Sequence, residues 1–360
     1  MGGARDYAAM NRLMDAADSQ TDALLTAGDP AVFDVVGGGD FAGDGVRDGD
    51  GDGDGDGDGD GDGVRDGVRD GDGDGDGVRD GVRDGDGDSD GVRDSRVDGD
   101  GDIDGNGRAP VIICCDHAGL HIPARLGDLG LAAQAMRTHI AFDIGARQVS
   151  ELLARRLRAP LLLANYSRLV IDLNRHLDDP TLIPAVSDGV EIPGNTGLTA
   201  AQKQQRIDEL FAPYHAAYRA LVDDLQAQFA RPLIVAVHSF APRMRGQVEA
   251  RPWDFGVLWE EQRAVAEAVI ANLRAIGEED GGGLCIGDNQ PYHARAPRGY
   301  AMHAHAQTRG VDMALIEIRQ DHIEQAAGQR WAADVLYRAV APLLRYAPAA
   351  AAGARRVAGA

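Results

Sequence analysis

The chain has 360 residues, 44% of them apolar or aromatic and 26% charged, and a formal charge of −22. That length is enough for at least one large buried core, whereas so acidic a balance disfavours nucleic acid as a partner. The three cysteines, Cys114, Cys115 and Cys285, exclude a disulfide framework and a Cys-x-x-Cys metal knuckle.

Residues 1–36 form an N-terminal segment in which Tyr7, Met10, Leu13, Met14, Ala17, Leu24 and Leu25 have the spacing of a short amphipathic helix. The start lacks a basic region followed by an apolar run, and Asp6 breaks the myristoylation pattern. No stretch is long and apolar enough to span a bilayer, so a soluble cytoplasmic protein is expected.

Residues 37–108 are a Gly-Asp tract. Between Asp40 and Asp104 there are 25 Asp and 7 Arg with no Glu or Lys, which carries −18 of the −22. Little in it can offset the entropy of ordering, and like charges extend it, so a disordered, solvated linker is expected. A calcium-binding nonapeptide repeat is disfavoured, because the period here is mostly two and no apolar position recurs every nine residues.

Residues 109–347 predict a single α/β domain, followed by an Ala/Gly-rich, disordered tail at 348–360. Strand candidates are Pro110–Cys115, Pro160–Ala164, Leu169–Ile171, Pro232–Val237, Phe255–Trp259, Leu284–Ile286 and Met313–Ile318, several of them continuously apolar, as in strands buried on both faces. In such a strand Cys114 and Cys115 point to opposite faces and serve as small packing residues.

Helical patterns lie between them: Ile144–Leu157, a long one opening at the capping box Thr199-Ala-Ala-Gln202, then Glu260–Arg274 and Gln329–Tyr346. Pro213 should kink or divide the long helix. Alternating strands and helices predict a mostly parallel sheet covered on both faces. The Pro- and Gly-rich stretch from His176 to Gly197 is too long for an idle connection and predicts a wall or lid of a site.

Four clusters at the ends of apolar runs carry the chemistry: Cys115-Asp116-His117, Asp172-Leu173-Asn174-Arg175, His238-Ser239-Phe240 and Glu317-Ile318-Arg319. In an open α/β sheet, side chains at the carboxyl ends of strands converge on a common ligand. A catalytic zinc takes three protein ligands, typically His and carboxylate, and keeps a fourth position open. A lone histidine is more often structural, but two at strand ends, His117 and His238, together with a strand-terminal Glu, favour a metal site. The third ligand is Asp143, four residues after His139, or else Asp116; an N-cap role for Asp143 is the alternative.

Glu317 can move a proton between attacking water and leaving nitrogen. Arg319 would share its face, unless the two simply pair. Asn174 and Arg175 suit a substrate carboxylate, the guanidinium as a bidentate fork, with Arg168 and Arg243 as alternatives and Ser239 beside them; pairing of these arginines with acids such as Asp172 is the competing role. His303 and His305 are weak candidates for the wall. A Ser-His-Asp triad is disfavoured because no Gly-x-Ser-x-Gly elbow occurs.

Several segments together resemble the N-formylglutamate amidohydrolase family and, more remotely, zinc carboxypeptidases and aspartoacylases. They are Cys115-Asp-His-Ala-Gly119 with Ile122-Pro123, Thr138 to Gly145, Tyr166 to Arg175, Ile192-Pro-Gly-Asn195, Val237-His-Ser-Phe240, Gly287-Asp-Asn289 and Ile316 to Asp321. The resemblance implies a phosphorylase/hydrolase-like three-layer sandwich around a mostly parallel mixed sheet. It also implies hydrolysis of a small N-acyl amino acid such as N-formyl-L-glutamate, releasing formate. By the same likeness His117 and His238 are ligands of a divalent metal, zinc first, Glu317 is the general base, and Asn174 with Arg175 is the carboxylate clamp.

Carboxypeptidases place Glu three residues after the first His where this chain has Leu120, which leaves the carboxylate ligand to Asp143. Asp-His-Ala-Gly also stands where the histidine-degradation branch reads Pro-His-Ser-Gly, so the substrate can differ from formylglutamate. The competing readings are a carboxypeptidase or cell-wall amidase-like peptidase, and an acidic calcium-binding or interaction protein with a degenerate hydrolase domain. No other cofactor, nucleic acid or membrane is expected, and the oligomeric state is left open.

Overall fold

In the computed structural model, which describes residues 23–37, 107–296 and 298–344, apolar runs become the strands β1 (Phe33–Val36), β2 (Val111–Cys115), β3 (Leu161–Ala164), β4 (Val186–Ser187), β5 (Val190–Glu191), β6 (Leu233–Phe240), β7 (Phe255–Leu258), β8 (Ile286–Asp288) and β9 (Asp312–Arg319). Seven of them form one sheet in the order β1-β3-β2-β6-β9-β7-β8, and β4 pairs with β5 in a separate hairpin. β3, β2, β6 and β9 run parallel, while β1 and the β7–β8 pair run against their neighbours. The helices are α1 (Ala146–Leu157), α2 (Ala200–Arg206), α3 (Ala212–Gln228), α4 (Arg263–Glu279) and α5 (Ala326–Val340).

Strand alternation divides the core into two layers. Ile112, Cys114, Ile234, Ala236, Met313 and Leu315 pack under α3, whereas Val111, Ile113, Cys115, Val235, Val237, Ile316 and Ile318 pack under α1, α4 and α5. The expected three-layer α/β architecture with a mostly parallel mixed sheet therefore holds. Cys114 and Cys115 fall on opposite faces, and burial pushes both thiols well above their ordinary range, which argues against a nucleophilic role.

Three local readings change. Leu169–Ile171 is a buried turn, because its carbonyls are met by side chains: Asn195 Nδ2 donates to Leu169 O at 2.8 Å and the buried Arg206 donates to Val170 O at 2.8 Å. The capping box at Thr199 and Gln202 forms as expected, and a π-turn at Ile207–Phe211 leads into α3, where Pro213 sits in the first turn. The interruption falls just ahead of Pro213, where Ala212 N–H donates to Ile207 O in the wider π geometry in place of a regular i−4 bond. The Leu284–Ile286 run contributes only its last residue, to β8.

The larger change is β1, which joins the sheet from upstream of the Gly-Asp tract. It pairs antiparallel with β3, and Leu24, Val32, Phe33 and Val35 are buried in the α3-side core. Leu24 and Leu25, read as part of a helix, are in loop structure, and their N–H groups donate to Glu209 at 2.9 Å. Residues 1–22, the tract from 38 to 106 and the tail from 345 onward lie outside the described residues, so the helix, linker and tail readings made for them do too. No helix of the described residues is long and apolar enough to cross a membrane.

Val36 pairs with Leu161, the first residue of β3, and Ile113 pairs with the same residue, so β1 ends at the edge where β2 and β3 begin. Two strand spacings, about 10 Å, separate Val36 from Ile113 across that edge. Replacing residues 38–106 with a flexible linker of about eight residues should leave the melting temperature and turnover nearly unchanged. Phe33→Ala in the same background should cost about 3–5 kcal/mol of stability, as for other buried Phe truncations. Thermal unfolding of the two variants checks both, and a large loss from the linker replacement would contradict the reading of 38–106 as a dispensable insert.

Candidate active site

β2, β6 and β9 are neighbours, and their carboxyl ends bring three of the four clusters together; the fourth, 172–175, comes to the same cavity from the buried turn at 169–171. His117 follows β2 by two residues, and His238 and Glu317 lie inside β6 and β9 as direct register partners. Both continue the rows that face α3, so imidazole and carboxylate stand on adjacent strands about 5 Å apart. The turn 138–145 is not helical, contrary to the shared-face reading of His139 and Asp143. It is held instead by Asp143 N–H donating to His117 O at 3.0 Å. Gly145, not Asp143, caps α1; its φ is 76° and an added Cβ would meet Ile323 O at 2.2 Å, which requires glycine.

His117, Asp143 and His238 are buried and offer ligand atoms all within 4.8 Å of one another, a group that could hold a metal ion. Asp143 Oδ2 lies 2.9 Å from Nδ1 of His238 and 3.4 Å from Nδ1 of His117. Nε2 of His117 donates to Asp172 Oδ1 at 2.7 Å. Asp116 is not in this group: its Oδ1 accepts from Tyr214 at 2.6 Å and its Oδ2 stands 3.7 Å from Nε2 of His238. His117 Nδ1, His238 Nε2, Asp116 Oδ2 and Glu317 Oε2 are buried without a hydrogen-bond partner among the described residues. Buried orphans of this kind are rare in native structures unless an ion, water or ligand meets them.

Four carboxylates, Asp116, Asp143, Asp172 and Glu317, thus gather around two imidazoles and Arg168. Burial alone would raise Asp143, but the charge of His117 and hydrogen bonds from both histidines hold it well below the usual carboxylate range. Burial would lower His238, yet the Asp143 hydrogen bond and the surrounding carboxylates lift it to about 9. Burial pushes Glu317 up to about 7, with His238 opposing and Asp143 reinforcing the shift. A field that draws a proton onto a buried imidazole is one that attracts a cation.

These groups open into a cavity of about 190 Å³ whose lining includes His117, Asp143, Arg168, Asn174, Arg175, His238, Ser239 and Glu317. Arg175 is half-buried and tied by Nε to Thr181 at 3.3 Å and by Nη1 to Asn174 O at 3.1 Å, so that among the described residues its Nη2 has no acceptor. Asn174 accepts from Ala301 N–H at 3.1 Å through Oδ1. Arg168 faces the cavity but is engaged by Asp172 at 2.7 Å and Asp143 at 3.3 Å, and Ser239 Oγ donates to Ile144 O at 2.9 Å.

Two of the expected residues are not brought to the cavity. Arg243 is exposed and outside the lining. Arg319 is also outside it, held by Asp321 at 2.8 Å and by the carbonyls of Arg251 and Pro252. Among the described residues it forms no ion pair with Glu317. His303 and His305 do not line the cavity either; His305 stacks on Tyr218 and bonds His215 at 3.0 Å. Sequence reasoning passed over Tyr292, His293 and Met302 as lining residues, and His139 entered only through its spacing to Asp143. The long 176–197 connection folds into the β4–β5 hairpin, whose tip residue Asp188 reaches His139 at 3.3 Å and accepts from Arg245 N–H at 3.2 Å. No residue of 176–197 lines the cavity itself, so the hairpin stands behind His139 and does not form the expected wall directly.

The family model for N-formylglutamate amidohydrolase matches residues 109–324. N-formylglutamate deformylase of Pseudomonas putida is 30% identical over 161 residues, covering 42% of this chain and 59% of that protein. The deformylase of Pseudomonas aeruginosa is 26% identical over 180 residues, covering 47% and 66%. The chain thus aligns with about three fifths to two thirds of the length of these relatives. A crystal structure of an Agrobacterium tumefaciens gene product has the same fold, with a TM-score of 0.59 and 31% identity over 65% of this chain and 91% of that one. With the matched region spanning all four clusters, the chain belongs to the N-formylglutamate amidohydrolase family.

Proposed function

We propose that the chain hydrolyses the amide bond of a small N-acyl amino acid with a free carboxylate, N-formyl-L-glutamate first among candidates, releasing formate and the amino acid. The observation that carries this reading is the convergence of His117, Asp143, His238, Glu317, Asn174 and Arg175 on one cavity. It is supported by the family and by the relatives named as N-formylglutamate deformylases.

The donor set fits a divalent metal, zinc first: two neutral imidazoles and a carboxylate are its usual catalytic ligands, and buried unpartnered atoms surround the point where they meet. His117, Asp143 and His238 would hold it, and when bound it would supply Lewis-acid polarisation of the amide carbonyl and activation of water. Asp172 orients His117 through Nε2, which leaves Nδ1 for the cation. Glu317 takes the proton of the attacking water and delivers it to the leaving nitrogen, a task suited to a carboxylate whose affinity for a proton is raised toward neutrality. Arg175 and Asn174 hold the substrate carboxylate, and Arg168 helps keep Asp172 ionised against its burial and braces Asp143 at 3.3 Å.

The peptidase alternative wants an open groove, whereas a cavity of about 190 Å³ favours a small substrate. A panel of N-formyl, N-acetyl and peptidyl amino acids tests the reading directly. Formate release from N-formyl-L-glutamate well above all peptides supports it, and a preference for peptides contradicts it.

Arg175→Lys keeps the charge but loses the fork, and should cost about 2–3 kcal/mol in kcat/KM for substrates with a free α-carboxylate. Amidated substrates should be poor for the native chain and suffer little further loss, a difference that a double-mutant cycle reads out. Equal penalties on both substrate types would rule out the clamp.

A further inference from the structure

The two histidines are not held alike. His117 donates Nε2–H to Asp172 at 2.7 Å and turns Nδ1 toward Asp143. His238 turns Nδ1 toward Asp143 at 2.9 Å, and its Nε2 faces Asp116 Oδ2 at 3.7 Å. Both of the latter atoms are buried and lack another hydrogen-bond partner, an unfavourable state that a movement of less than about 1 Å would relieve, since an N–H···O bond closes at about 2.9 Å.

Asp116 is itself fixed from behind. Its Oδ1 accepts from Tyr214 OH at 2.6 Å, and one helical turn further along α3 Tyr218 OH lies 2.8 Å from the sulfur of Cys114. Cys114 on β2 and Asp116 in the turn just beyond it thus meet positions 218 and 214 on one face of α3. The two tyrosines are one helical turn, about 5.4 Å, apart, so the helix holds the strand end at two points.

We propose that Asp116, held by Tyr214, is the positioning carboxylate of His238. It fixes the ring rotamer by receiving Nε2–H, so that Nε2 would keep its proton when a metal replaced the one that Nδ1 donates to Asp143. This is the service that Asp172 performs for His117, and outer carboxylates of this kind strengthen an imidazole as a ligand. The inference rests on the metal reading of the same site only in what the freed Nδ1 is for; the contact itself can be tested without metal.

The test uses full-length, metal-free protein with ¹⁵N-labelled histidine, as native chain, Asp116→Asn and Tyr214→Phe. The expected native result is a downfield, exchange-protected His238 Nε2 proton. Asp116→Asn should move it upfield and speed its exchange, and Tyr214→Phe, which removes one hydroxyl and little volume, should do the same to a smaller degree. The His117 Nε2 proton should not move. Competition against a chelating dye should then show zinc affinity weakened about 10–100-fold by Asp116→Asn, with the visible spectrum of the cobalt-loaded protein changed.

An unaltered His238 proton in Asp116→Asn overturns the proposal, as does a fall in melting temperature with proton and spectrum unmoved, which would make Asp116 and Tyr214 packing residues only. A native chain that takes up no zinc contradicts the metal reading instead, while the ring-proton comparison still decides the pairing.

Discussion

Glu317→Gln should lower kcat about 10²–10⁴-fold, the range for loss of a general acid–base group, with KM and metal content close to native. The substitution preserves shape on β9 and leaves His117, Asp143 and His238 in place, so the metal should remain. What disappears is the carboxylate that alternates between accepting and returning a proton. Its environment is built for that alternation, since burial pushes Glu317 up to about 7 while His238 on the neighbouring strand holds the shift in check. Steady-state kinetics with metal analysis on one preparation checks the expectation, and a variant keeping most of its turnover would remove Glu317 from the proton-transfer role.

The second large effect is the converse. His117→Ala and His238→Ala should each reduce bound metal from about one per chain to near zero, and turnover with it. Each deletes one of three ligands, and a carboxylate with a single imidazole is a poor zinc site. Because binding to the folded state stabilises it by mass action, zinc should raise the melting temperature of the native chain and not that of either variant. Inductively coupled plasma analysis and paired melting curves, with and without chelator, distinguish ligand loss from unfolding. A His238→Ala chain that binds zinc as tightly as native would exclude His238 as a ligand.

The central strands were legible because each is a continuous apolar run ending in a polar cluster, and that pattern predicts a strand buried on both faces whose carboxyl end carries chemistry. Convergence of His117, His238 and Glu317 follows from β2, β6 and β9 being parallel neighbours. β1 was not legible, since Phe33–Val36 is short, is interrupted by Asp34 and is separated from its partner β3 by the whole tract, and only the sheet edge reveals why it is buried. Leu169–Ile171 misled for the opposite reason: it is apolar and buried, but its carbonyls are satisfied by Asn195 and Arg206 from distant positions. Arg319 misled because alternation put it on the face of Glu317 without showing that Asp321 and the carbonyls of Arg251 and Pro252 hold its guanidinium away. The pairing of Asp116 with Tyr214 joins residues 98 apart, and no local spacing points to it.

The most direct measurement is formate release from N-formyl-L-glutamate by chain stripped with a chelator and then titrated with zinc. Metal-dependent hydrolysis at the His117, Asp143 and His238 site predicts negligible release from the stripped protein, a linear rise on addition of zinc, and a plateau at about one equivalent per chain. Full turnover by stripped protein, or no formate at any zinc loading, would contradict it.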